Sequence, residues 1–168
     1  MQIFQPFASF DACAAYLRRD PKRLGKQAVE LYQIYNAVWG LLRGERPGYR
    51  NHPVVRHIFH GGHPYDLFPY FDALTVQWRS LGYRRSPEFL WKVEALYHHL
   101  TPYFTPGPYL PFFCSGEERS YEDVFRKYRA LLHNKWYNEE NAEGGVPHDL
   151  IPPLPGGGGP GNAHPPGL

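Results

Sequence analysis

The stretch from Asp20 to Arg43 constrains the fold more than any other part of the chain. Asp20 is a suitable N-cap, and Pro21 suits the first helical position, where an N–H would have no partner inside the helix. Leu24, Ala28, Leu31, Tyr35, Val38 and Leu42 then recur every three or four residues, which draws one apolar stripe along a helix. That stripe is core. A second face carries Arg23, Lys26, Gln27, Glu30 and Gln33. Burying a core does not require a glutamate among those neighbours, so Glu30 is the first candidate for chemistry. The alternative is a surface pair with Lys26 one turn earlier, worth a few tenths of a kcal/mol.

The remaining segments read as further helices around this one. Residues 1–7 are extended, with Ile3, Phe4 and Phe7 pinning the N-terminus to the core, and Ser9 caps a short helix over Phe10 to Arg19. Asn51 or His52 caps a helix from Pro53 to near Phe59, and Gly61-Gly62 breaks it. Asp66 to Leu81 forms a longer helix stopped by Gly82, and Ser86-Pro87 starts another that runs to Leu100. Ser120 opens a last helix to about Asn134, with Tyr121, Val124, Phe125, Tyr128, Leu131 and Leu132 turned inward. Between these last two lies an aromatic and proline-rich loop, residues 101–116. No alternating β pattern persists, so the expected class is all-α: one compact helical domain, residues 1–143, around the central helix. The Pro/Gly-rich segment 144–168 has too little apolar content to fold and reads as a disordered tail.

Composition narrows the function classes. A chain of 168 residues can bury its own core without a staple. Cys13 and Cys114 stand alone, which argues against a zinc finger or a disulfide framework and for an intracellular protein. No apolar run approaches a membrane span. Of the 16 acidic side chains, four lie beyond residue 137, where there is no Lys or Arg; the first 137 residues therefore hold all 18 basic side chains against 12 acidic ones. Arg18, Arg19, Lys22, Arg23 and Lys26 cluster, as do Arg43, Arg46, Arg50 and Arg56. Clustered base on a small domain points to a polyanionic partner, with a solvated charged face as the alternative.

Two other constellations are weaker. His52, His57, His60 and His63 could be imagined as metal ligands, but no carboxylate lies between Glu45 and Asp66 and no His-Glu-x-x-His pattern is present, so the expectation is no metal and no cofactor. Gly25-Lys26 lacks the first glycine and the strand of a phosphate-binding loop.

At Arg23-Leu24 and Glu30, on a helix soon after a short N-terminal segment, the chain resembles the pyrimidine-dimer DNA glycosylases of the phage endonuclease V type. Gly62-His63, the segment Trp78-Arg79-Ser80-Leu81-Gly82-Tyr83, and Arg129-Ala130-Leu131-Leu132 with Trp136-Tyr137 extend the likeness. Lys22-Arg23-Leu24-Gly25-Lys26-Gln27 with Asn51-His52-Pro53 is similar to a bacterial branch of that family. The resemblance implies a glycosylase that also cleaves the abasic strand, with an N-terminal α-amine as nucleophile, here Met1, and Glu30 as acid and base. An α-amine, with an ordinary pKa of about 7.7–8.0, keeps a useful neutral fraction near pH 7. The implied partner is double-stranded DNA, contacted by Gln2, Arg23, Lys26, Gln27, Arg50, His52, His63, Trp136 and Tyr137. The implied protein is a monomer in the cytoplasm, at the nucleoid. The family's arginines beside the nucleophile and around the glutamate are replaced by Gln2, Val29 and Gln33, which leaves the lesion open. The competing readings are a non-catalytic nucleic-acid-binding helical domain and a His-ligated metalloenzyme.

Overall fold

The computed structural model describes residues 1–106 and 120–140, and every regular element among them is a helix. In chain order these are α1 (Phe10–Leu17), α2 (Pro21–Leu42), α3 (Pro53–Phe59), α4 (Phe68–Ser80), α5 (Pro87–Leu100) and α6 (Tyr121–Glu140), with 3₁₀ turns at His60–Gly62 and Thr101–Tyr103. The expected tail and most of the aromatic loop lie outside the described residues. The chain divides into two compact units, Met1–Arg129 and Ala130–Leu168. No described helix is long and apolar enough to cross a membrane.

In the first unit α2 is the hub, packed by α1, α3, α4 and α5. Its start is fixed as the sequence predicts: the Asp20 carboxylate accepts the Arg23 N–H at 3.0 Å, and Pro21 occupies the first turn. Leu24, Ala28, Leu31, Tyr35 and Val38 are buried, while Leu42, in the last turn, is half-buried. Gly25 has a packing role. A Cβ there would come within 2.9 Å of the Trp78 ring, so α4 approaches α2 this closely only over a glycine. Cys13 is a core thiol that donates to the Phe7 carbonyl, and burial pushes its pKa up to about 12.

The N-terminal segment is held from both sides. The Phe4 N–H donates to Gln27 Oε1 at 2.9 Å, and the Phe4 carbonyl accepts the Tyr70 hydroxyl at 2.6 Å. Ile3 and Phe4 are buried as expected. From the other end of the unit, Arg129 donates to the Pro6 carbonyl at 2.7 Å and lies over the Phe7 ring.

Two boundaries and the burial of one residue depart from expectation here. The helix expected from Asp66 starts at Phe68, because Asp66 Oδ1 accepts the Phe68 N–H at 2.9 Å and so stands two residues outside it as an Asx turn. The last helix continues to Glu140, six residues past Asn134, since no Gly or Pro interrupts it and Trp136 extends the apolar spacing of Leu132. Tyr121, expected inward, is exposed at the first position of that helix. In the second unit, Leu132, His133 and Trp136 are buried, and the His133 and Trp136 rings lie 5.8 Å apart.

Candidate active site

Glu30 sits two turns into α2, and its surroundings are set by the segment pinned across that helix. Oε2 of Glu30 accepts the Gln2 backbone N–H at 3.3 Å and Gln27 Nε2 at 3.1 Å. Gln27 Nε2 also donates to the Gln2 carbonyl at 2.7 Å. One carboxamide thus ties Gln2, Phe4 and Glu30 together, satisfying both its donor and its acceptor ends. The nitrogen of Met1 is three bonds from that of Gln2, so it lies within about 7 Å of the Glu30 carboxylate.

His52 completes the group. It caps α3 through Nδ1, which accepts the Val54 N–H at 3.2 Å. A backbone N–H can only donate, so Nδ1 is the unprotonated nitrogen and Nε2 carries the proton. Burial lowers the His52 pKa, the N-terminal ammonium lowers it further, and the Glu30 carboxylate raises it in part. Both charges are thus near enough to act on the imidazole.

The other residues singled out in the sequence separate into three groups. Lys26 is 65% exposed, with Nζ 3.8 Å from Glu30 Oε1, a loose pair that leaves its ammonium open to solvent. Arg50 and His63 are exposed, and Tyr137 is 61% exposed. Three residues expected to contact DNA are turned inward instead. Gln27 is 1% exposed and spent on the clamp just described. Arg23 pairs with Asp20 Oδ2 at 3.1 Å, nearly buried, and lies over the Phe4 ring, so it secures the start of α2 and the N-terminal segment. Trp136 is fully buried and offers no ring face to a base.

Glu30 itself is buried, 8% exposed. Sequence reasoning placed Gln27 beside Glu30 but missed its grip on the N-terminus, for which the only signal was an amide one turn before a lone carboxylate. Val29 is 41% exposed, and Gln33 is also exposed, so the positions where the resemblance implies arginines do face outward. Among the described residues no three of His, Cys, Asp or Glu are grouped as metal ligands would be. His57 and His60 lie beside the Tyr65 ring instead.

With this geometry established, comparison with known proteins gives one match. A family model described as pyrimidine dimer DNA glycosylase matches residues 1–90, more than half of the chain and all of the Met1, Gln27, Glu30 and His52 cluster. No curated protein and no solved structure matches.

Proposed function

The chain belongs to the pyrimidine dimer DNA glycosylase family, and from that premise we propose that it excises damaged or modified bases from DNA and then cleaves the abasic strand. The nucleophile in this reading is the α-amine of Met1, and Glu30 is the acid and base. The neutral amine attacks C1′ of the target nucleotide, the bond from C1′ to the base breaks, and the base leaves with a proton. Opening of the sugar ring leaves an imine between the amine nitrogen and C1′. Removal of a C2′ proton then expels the 3′ phosphate.

The chain's own groups suit these steps. Glu30 Oε2 is occupied by two donors, whereas Oε1 has only the distant Lys26 ammonium, so one oxygen anchors and the other is available for proton transfer. A fixed carboxylate with restricted solvent access stabilises positive charge developing at the sugar and the imine. His52 would act as a neutral donor through Nε2 toward a sugar or phosphate oxygen. Gln27 is a positioning residue, because it touches no reacting atom yet sets the distance between amine and carboxylate. Lys26, Arg50 and His63 are proposed as phosphate contacts.

The observation that carries the reading is the hydrogen bond from the Gln2 N–H to Glu30 Oε2, which brings the chain's first residues to the one glutamate buried among the described residues. A second reading, binding without chemistry, is favoured by Gln2, Val29 and Gln33 at positions where the resemblance implies arginine. Borohydride trapping on duplexes bearing a panel of damaged and modified bases separates them. The glycosylase reading expects a reduced cross-link with the wild-type protein, and Glu30→Gln that still binds the duplex but traps at least 100-fold more slowly. Tight binding of a lesion duplex with no cross-link on any member would favour the second reading.

A further inference from the structure

The connection from α4 to α5 borders an open cavity of about 500 Å³, lined by Thr75, Arg79, Tyr83, Arg84 and Arg85 among others. Among the described residues none of these three arginines is within ion-pair distance of a carboxylate, unlike Arg23, Arg43, Arg126 and Arg129. Arg85 is the most confined of the three. Its guanidinium carbon lies 5.3 Å from the centre of the Trp78 ring, 5.6 Å from Phe71 and 5.9 Å from Phe89. Burial lowers its pKa to about 10. Arg85 Nε and Nη2, the two donors on one edge of the fork, are shut off from water and have no acceptor; Thr75 Oγ1 and Trp78 Nε1 are in the same condition.

Buried polar groups are nearly always paired, so three unpaired polar atoms on Arg85 and Thr75, both of which line the cavity, call for a missing partner. The wall supplies guanidinium and hydroxyl donors and no carboxylate, which selects an anion rich in acceptors. Planar guanidinium forks match the oxygens of phosphate, and three of them exceed the single charge of a carboxylate. The volume is also far larger than a bare phosphate ion, leaving room for the sugar it is attached to. We propose that this cavity binds a phosphate group, held by Arg79, Arg84 and Arg85. The incoming anion neutralises the cluster and, by drawing the Arg85 fork a short way outward, gives its two stranded donors an acceptor. The phosphate comes either from a DNA backbone, in which case the site rests on the reading above, or from a free phosphate or nucleotide, in which case it does not.

The test uses the full chain and the indole NMR resonance of Trp78, assigned with Trp78→Phe. Inorganic phosphate should shift that resonance saturably. Arg85→Lys, which keeps a cation over the rings but removes the fork, should weaken binding at least five-fold. The double variant Arg79→Ala/Arg84→Ala, which alters exposed side chains only, should do the same and keeps the test independent of Arg85 packing. An undamaged duplex distinguishes the sources. If the phosphate belongs to DNA, the duplex also shifts the Trp78 resonance, and the double variant lowers the salt slope of duplex binding by about one. If it is a free phosphate, the ion binds while the duplex leaves the resonance and slope unchanged. No saturable shift with either ligand, or a shift indifferent to both variants, would overturn the proposal, whatever the outcome of borohydride trapping.

Discussion

The polar cluster at Glu30 and the arginine turn at Arg85 are both built on packed helices, and they differ in how their polar atoms are satisfied. Around Glu30 the carboxamide of Gln27 has partners at both ends, the Gln2 N–H has an acceptor, and the carboxylate has two donors. Around Arg85 the guanidinium edge, the Thr75 hydroxyl and the Trp78 indole have none. A satisfied cluster is held in place before any ligand arrives, as a catalytic pair must be. An unsatisfied one carries a desolvation cost that only a ligand can remove, which suits a binding pocket. The contrast teaches that burial by itself does not identify a catalytic group; the state of its partners separates positioning from vacancy.

Substitutions should break this contrast in opposite directions. The largest effect is expected for Gln27→Leu, which strands the buried Phe4 N–H and removes one of the Glu30 donors; stability should fall by about 3 kcal/mol in urea unfolding. Trapping by Gln27→Leu should fall with it, although Met1 and Glu30 are untouched. Thr75→Val replaces an unpaired buried hydroxyl by a methyl group of similar size and should raise stability by about 1 kcal/mol in the same assay. A loss there would mean that the hydroxyl already has a partner and that the arginine turn is as satisfied as the Glu30 cluster.

A smaller effect concerns pH. Burial lowers the pKa of His52 and of His57, so below the ordinary histidine value of about 6.5 the unfolded chain binds protons that the folded chain refuses. Stability should therefore fall as pH drops from about 6.5 toward the carboxylate range, and His52→Asn, which can still cap α3, should make that slope shallower. At lower pH the sign reverses for Asp66 and Asp72, whose pKa values burial raises. The smallest effect belongs to Lys26→Gln. Its pair with Glu30 is long and mostly exposed, so stability should change by less than about 0.5 kcal/mol, while duplex binding loses about one unit of salt slope.

Local signals made much of the fold legible. Ser9, Asp20, His52, Ser86 and Ser120 each cap the helix expected of them, because a cap needs only residues two or three positions away. The stripe of α2 was equally local. What the sequence did not disclose depends on chain segments far apart. Gln27 reaches residues 23 and 25 positions upstream, so its role follows from where the N-terminus docks. Arg23 looked like a surface cation because nothing local indicates the Phe4 ring beneath it. Trp136 is buried because it continues the apolar spacing of Leu132 past Asn134, and the same extension explains the long α6. The arginine turn was visible as Arg79, Arg84 and Arg85 in the text, but its cavity arises only when the turn between α4 and α5 brings them beside Thr75 and Leu90.

The central claim is that the amine at the start of the chain, held beside Glu30, does the chemistry. The most direct measurement is peptide mapping by mass spectrometry of the protein after borohydride trapping on lesion DNA. The account predicts the reduced sugar remnant on the α-nitrogen of Met1, and no trapping once that nitrogen is acetylated in a protein that still binds the duplex. A remnant on the side chain of Lys26, or undiminished trapping by the acetylated protein, would contradict it.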